Sequence, residues 1–72
     1  MKIRYDPEVD ALSITFHETT VTTRDLGEGI AADFDELGRL AGLEILDATK
    51  RLGEIETLRQ VVLENVGLSA AR

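Results

Sequence analysis

Apolar and polar residues alternate along much of the first 46 positions of this chain, and no other feature of the sequence constrains its fold so strongly. Ile3 and Tyr5 alternate with Lys2 and Arg4. Successive side chains of a β-strand point to opposite faces, so a period of two is typical of a strand with one buried face. The alternation recurs over 11–17, where three apolar residues share one face: Leu12, Ile14 and Phe16.

Three further strands are predicted before residue 47. The β-branched run that opens 21–26 indicates a third strand suited to a solvated face or a sheet edge. Alternation predicts a fourth strand over 30–35 and a fifth over 40–46, with Leu43 and Ile45 facing the core. Turn-forming residues separate these strands at 6–10, at 27–29 and at 35–38, where Gly38 is expected in the left-handed conformation.

The period changes at Asp47, a residue type favoured at helix N-caps. We expect a short helical turn over 48–52 that Gly53 ends, and then a longer amphipathic helix from Glu54 to about Val66. The apolar stripe of this longer helix, with its margins, consists of Ile55, Leu58, Val61, Val62, Leu63 and Val66.

These patterns predict an α+β fold, an antiparallel β-meander of about five short strands followed by a C-terminal amphipathic helix. We expect a single domain over 1–72, with the meander in 1–46, a helical part in 47–68 and a tail at 69–72. The simplest core for such a fold forms when the helix packs across one face of its own sheet.

The small size of the chain favours self-association. A chain of 72 residues buries only roughly 60% of the surface that its unfolded form exposes. Small domains usually gain stability from disulfides, a structural metal or oligomerisation, and the absence of cysteine excludes the first. We therefore expect a homo-oligomer.

The charge balance excludes several classes of partner. Fourteen acidic and eight basic residues give a formal net charge of −6, which repels nucleic acid and anionic membranes and favours a basic protein partner. No apolar run approaches the ~20 residues that span a bilayer, and the N-terminal residues show no signal-peptide core. We expect a cytoplasmic protein that binds neither membranes nor nucleic acid.

Two sequence blocks carry a family resemblance. The first is Lys-Ile-x-Tyr-Asp-Pro-Glu-x-Asp-Ala-Leu at 2–12, and the second is Gly-Leu-Glu-Ile-Leu-Asp-Ala-Thr-Lys-Arg-Leu at 42–52. Together they resemble domain of unknown function family 2283, whose members are small prokaryotic proteins without an established activity. The resemblance covers about three-quarters of the chain and ends after Leu52. It implies a fold, no catalytic residues and, because members occur beside small toxin-like genes, an antitoxin-like or accessory binding role.

An acidic segment partly matches a calcium-binding loop. Asp33 and Asp35 occupy its first and third positions, Gly38 its sixth and Glu44 its twelfth. Leu37 stands where a fifth-position oxygen ligand is required, and the flanking residues alternate as strands do. We therefore interpret the segment as a β-hairpin and keep Asp33, Asp35 and Glu44 only as the less favoured metal candidates.

The remaining polar residues suggest no catalytic or cofactor site. His17 is the only histidine and is expected on the outward face of the second strand, and Ser13 has no neighbouring base. Turn chemistry and capping account for the carboxylates at 6–10 and at Asp47. Gly27 and Gly29 do not precede a helix, which argues against a phosphate-binding loop.

We therefore expect a non-enzymatic protein-interaction domain without a cofactor. The predicted interaction residues are those of the helical stripe and its margins, since an apolar surface wider than one stripe can meet a second copy or another protein. Packing of that stripe on the chain's own sheet is the simpler interpretation. The alternative class is a metal- or small-ligand-binding domain built from the acidic loops around Asp6, Asp33, Asp35 and Glu44.

Overall fold

The computed structural model describes residues 1–67, which form one five-stranded antiparallel sheet followed by two short helices. The strand bounds agree closely with the alternation in the sequence. The strands are β1 (Lys2–Asp6), β2 (Ala11–Thr15), β3 (Thr22–Gly27), β4 (Ile30–Phe34) and β5 (Leu40–Leu46).

The strand order is β1-β2-β5-β4-β3, so the prediction of a simple meander is wrong. β5 lies between β2 and β4, and the segment after β2 crosses to the far edge, where β3 begins. The strand order follows from the burial of the individual strands. All six residues of β3 are exposed, as suits an edge, whereas β5 contains the buried Ala41 and Gly42 and has a strand on each side.

The register gives the sheet two chemically different faces. Rows of paired residues cross the strands, as in Ile3–Ile14–Leu43–Ala32. One surface, which we call the apolar face, consists of Ile3, Tyr5, Leu12, Ile14, Ile30, Ala32, Phe34, Leu43 and Ile45. The opposite surface, which we call the polar face, includes Lys2, Arg4, Asp6, Ser13, Thr15, Thr23, Asp25, Ala31, Asp33, Gly42 and Glu44.

Gly42 brings β2 and β5 close together on the polar face. A Cβ atom at this position would lie 2.9 Å from the carbonyl oxygen of Ile14 and 3.2 Å from Asp33 Oδ2. A backbone oxygen at such a distance cannot move aside easily, so this position accepts only glycine without a shift of the strands. The pairing between β2 and β5 therefore depends on a glycine in the sequence.

The β4–β5 connection adopts the predicted bulged loop. Gly38 has a φ of 80°, and its N–H donates to the carbonyl of Asp35 at 3.0 Å. The register shifts between Asp33 and Phe34, as expected for a bulge.

The second strand, β2, is shorter than predicted. The amides of Phe16 and His17 both point to one acceptor, the carbonyl of Ala41, so the regular pairing ends there.

The first helix, α1 (Ala48–Leu52), confirms the predicted helical turn and is followed by Gly53 with a φ of 80°. Asp47 precedes it but makes no side-chain capping bond, so its predicted capping role is wrong. Asp47 itself adopts a left-handed conformation, with a φ of 52°, whereas an N-cap residue is typically extended. The α1 amides are instead capped by Asp10, from the β1–β2 loop.

The predicted amphipathic helix from Glu54 to about Val66 is not confirmed. The structure has a short 3₁₀ helix, η1 (Ile55–Arg59), and residues 60–67 are not helical. β-Branched residues, three of them valines, occupy much of this stretch and lower its helix propensity, and a short helix without a packing surface is marginal in water. Residue 68 and the predicted tail at 69–72 lie outside the described residues.

Candidate interaction surfaces

The apolar face is only partly covered in the described chain. Leu12 and Ala32 are buried, with 2% of each residue exposed, whereas the other residues of this face are half-buried. None of the described helices packs broadly across the sheet; α1 contacts η1 and lies at the end of the sheet beside the β1–β2 loop. The face is therefore a continuous apolar surface without a second layer over residues 1–67.

The dimensions of the chain agree with an incomplete core. Its accessible surface is 5825 Å², whereas a compact chain of this length exposes about 4400 Å². Its radius of gyration is 14.0 Å, against about 11 Å expected for a compact domain. The exposed segment 60–67 supplies part of this excess surface.

A basic side chain marks one margin of the apolar face. The guanidinium carbon of Arg24, on edge strand β3, lies 5.7 Å from the centre of the Phe34 ring. This distance allows a cation–π interaction, which holds the arginine over the ring. Arg24 is the only charged side chain that the described strands pair into the rows of the apolar face.

The polar face carries a pair of carboxyl groups on adjacent strands. Asp33 accepts a hydrogen bond from Thr23 Oγ1, and the carboxyl group of Glu44 lies on the neighbouring strand of the same face. Partial burial raises the pKa of the Glu44 carboxyl above its usual value, and the neighbouring carboxyl group of Asp33 raises it further. The folded chain therefore favours a protonated Glu44 more than an isolated glutamate does.

A shallow groove of about 540 Å³ lies beside this carboxyl pair. Its lining combines carboxylates with small and apolar side chains. The lining residues are Thr23, Asp25, Glu28, Gly29, Ala31, Glu44 and Leu46. The groove is open and acidic, and it is the part of the polar face best suited to a small cation or a basic side chain.

Asp35 organises the end of the sheet where β4 meets β5. Its buried carboxylate accepts hydrogen bonds from the amides of Leu37 (2.9 Å) and Arg39 (2.8 Å) and from Arg39 Nε (2.9 Å). His17 Nε2 lies 3.3 Å from Asp35 Oδ2. The amide and guanidinium bonds from Arg39, with the Leu37 amide, outweigh burial and lower the pKa of Asp35.

Comparison with protein families identifies the family to which the residues of the sheet belong. A family model described as a protein of unknown function, DUF2283, matches residues 2–48, about two-thirds of the chain. The chain belongs to the DUF2283 family. No curated protein and no solved structure gives a match. The resemblance expected from the two sequence blocks is thus confirmed for the residues of the sheet.

The DUF2283 match ends at Ala48, at the start of α1. All five strands therefore lie in the family portion, whereas the predicted helical stripe lies beyond it. The apolar face therefore lies within the DUF2283 portion. The alternation of apolar and polar residues that produces it can be seen in the sequence. Sequence reasoning missed it as a candidate surface because it expected the C-terminal helix to cover it.

The residues of the predicted stripe do not form one helical surface. Ile55 and Leu58 lie in η1, which contacts α1, and are half-buried. The four remaining residues are exposed: Val61 by 52%, Val62 by 71%, Leu63 by 63% and Val66 by 64%. Their role in an interaction stays a prediction.

The metal candidates divide between two locations in the DUF2283 sheet. Asp33 and Glu44 meet on the polar face, whereas the carboxylate of Asp35 is engaged by the loop amides and Arg39. Within residues 1–67, no group of three or more histidine, cysteine or acidic side chains converges in a way suited to a metal ion. No helix of that same range is long and apolar enough to span a membrane.

Proposed function

We propose that this DUF2283 protein is a non-enzymatic, cytoplasmic protein-interaction domain that uses the apolar face of its sheet to bind another protein chain. The observation that carries the proposal is the half-buried state of residues such as Ile14, Leu43 and Ile45, which no described helix covers. A sheet that is apolar on one face gains stability when a second layer covers that face. Transfer of apolar surface from water supplies the driving force for association.

The acidic polar face supports a second element of the proposal, a basic protein partner. Asp6, Asp25, Asp33 and Glu44 lie on that face, and the whole chain has a net charge of −6. Complementary charge accelerates encounter with a basic protein and discriminates against acidic ones. An antitoxin-like or accessory role, as the family resemblance implies, is the specific form that we propose.

A ligand-binding function is the alternative candidate. The groove beside Glu44 favours it, because the carboxylates of Asp25, Glu28 and Glu44 line the groove and attract a cation. Titration with Ca²⁺, Mg²⁺ and Mn²⁺ tests this alternative. A rise in Tm that Glu44→Gln abolishes would support it, and an unchanged Tm for all three cations would remove it.

The interaction function is tested with two neighbouring substitutions on opposite faces. Ile14→Glu places a charge on the apolar face, and Ser13→Glu adds the same charge on the polar face one residue earlier. Each tagged variant and the wild type would be used to capture partners from the native host, with mass spectrometry to identify the proteins and their stoichiometry. Circular dichroism would check that both variants remain folded.

We expect the wild type and Ser13→Glu to retain the same protein chain near one-to-one, whether a different protein or an untagged second copy, and Ile14→Glu to lose it. Capture of a basic protein should weaken when salt is raised, since salt screens charge attraction. Recovery of the bait alone from all three samples would contradict a function in binding a different protein. If Ile14→Glu captured the same protein as efficiently as the wild type, the binding surface would not be the apolar face.

A further inference from the structure

We infer that the apolar face is covered by the same face of a second copy of this chain, so that two sheets form a symmetric β-sandwich. This inference rests on the proposed interaction function and specifies its occupant. A two-fold interface requires only one self-complementary patch, and the apolar face is one continuous patch. Two sheets packed face to face produce a core about 10 Å thick.

The distribution of charge favours a second copy. Each chain has a net charge of −6, so two copies repel at long range. The strand carboxylates, however, pair into the rows of the polar face, and Arg24 is the only charged residue of the described strands in the rows of the apolar face. Contact through the apolar face therefore keeps the sheets' negative charges on the two outer surfaces of the sandwich.

The position of Arg24 is compatible with this contact. Its guanidinium lies over the Phe34 ring on β4, and β3 is the edge strand, so the cation occupies the margin of the patch. A charge at the rim of an interface stays hydrated, whereas a charge at the centre loses its water. The centre of the patch, around Leu12, Ile14, Leu43 and Ile45, is uncharged.

Sedimentation velocity on the full chain tests the inference. The wild type, Ile14→Glu, Ser13→Glu and Val62→Asp would be compared from about 1 to 300 μM. We expect the wild type, Ser13→Glu and Val62→Asp to dimerise, and Ile14→Glu to raise the dissociation constant at least ~100-fold, because two buried carboxylates then face each other. Raising the salt from about 20 to 500 mM should strengthen the wild-type dimer by screening its repulsion.

A second measurement covers the case in which Ile14→Glu fails to fold. In a mixture of differently isotope-labelled wild-type chains, isotope-filtered NMR should show nuclear Overhauser effects between methyl groups of Ile14 and Leu43 that belong to different chains. A monomeric wild type at 300 μM in high salt would overturn the inference. Dissociation by Val62→Asp but not by Ile14→Glu would overturn it too, because the segment 60–67 would then be the contact.

The outcomes separate this inference from the function on which it rests. A monomer that captures a different protein in an Ile14-dependent manner overturns the homodimer and leaves the interaction function intact. A wild-type dimer that Ile14→Glu dissociates, with no other protein recovered from the host, supports the sandwich and contradicts a function in binding a different partner.

Discussion

Asp10 caps the helix that begins 38 residues after it. Its carboxylate accepts hydrogen bonds from the Thr49 amide (3.1 Å to Oδ1) and from Thr49 Oγ1 (2.7 Å to Oδ2), while its carbonyl accepts one from the Ala48 amide (3.0 Å). Tyr5 Oη donates to Asp10 Oδ1 at 2.7 Å. One residue of the β1–β2 loop therefore joins β1 to α1.

Replacement of Asp10 by glycine should destabilise the protein, whereas the same change at Asp47 should not. Both residues have left-handed backbones, with φ of 54° and 52°, so glycine relieves strain equally at the two positions. Only Asp10→Gly removes hydrogen bonds to Thr49 and Tyr5. We expect its Tm to fall by roughly 5 °C, and that of Asp47→Gly to stay level or rise. Equal decreases in the two variants would contradict a cap formed by Asp10.

Acid should destabilise the fold partly through Asp35. Its pKa is lowered in the folded chain, mainly by the amide and guanidinium of Arg39. A carboxyl group with a lowered folded pKa contributes stability above its unfolded pKa, near 3.9, and loses that contribution as the pH falls through the folded value. Asp35→Asn should therefore show a flatter decrease in Tm below about pH 5 than the wild type.

The neighbouring Glu36→Gln serves as the control for that titration, because Glu36 is exposed. Thermal melts followed by circular dichroism from pH 7 to pH 2.5 supply the measurement. Parallel pH profiles for Asp35→Asn and the wild type would show that Asp35 stays protonated or unpaired in the folded chain.

Removal of the charge on Glu44 should stabilise the protein at neutral pH. Burial and the neighbouring Asp33 raise the pKa of Glu44, so the folded state favours its protonated form and loses stability as the pH rises through that raised value. We expect Glu44→Gln to raise the Tm at pH 7 only slightly, because Glu44 is exposed and solvent screens the repulsion from Asp33, and to have a smaller effect near pH 4. Glu28→Gln serves as the control and should leave the Tm unchanged. A lower Tm for Glu44→Gln would contradict a repulsion between Glu44 and Asp33.

Substitution of Gly42 by alanine should disrupt the pairing of β2 with β5. The added Cβ would lie 2.9 Å from the Ile14 carbonyl oxygen, which is part of the strand backbone. Overpacking of this kind costs about 1 to 3 kcal/mol, which denaturant titration can measure. Ser13→Ala, on the same face of the adjacent strand, should cost much less. If Gly42→Ala had the same free energy of unfolding as the wild type, β2 and β5 could move apart to admit the Cβ at no cost in stability.

The strands could be predicted because their signals are local. Alternation over 2–5 and 30–34 and the glycine of the β4–β5 loop depend only on neighbouring residues, and β5 has the predicted bounds. The strand order could not be predicted in this way, because the β2–β5 pair joins residues that are about 30 positions apart and nothing local specifies that pairing. Asp10 could not be recognised as the cap of α1 for the same reason, since it lies in the distant β1–β2 loop.

The candidate surface was predictable as a pattern but not as an exposed patch. Residues such as Ile14, Ile30 and Ile45 were assigned to one face of strands, and the structure confirms that assignment. Their exposure depends on the segment after Gly53, where apolar residues at helical spacing do not form the expected helix. Spacing alone does not show whether such a segment finds a surface to pack against.

The central position of β5 also sets the order in which this chain can fold as it leaves the ribosome. β1 and β2 are synthesised first, yet β2 obtains its second neighbour only when residues 42–46 have emerged. An isolated two-stranded hairpin is marginally stable in water, so the early hairpin remains open to other strands during this interval. The last strand to be made thus converts two separate hairpins into one cooperative sheet.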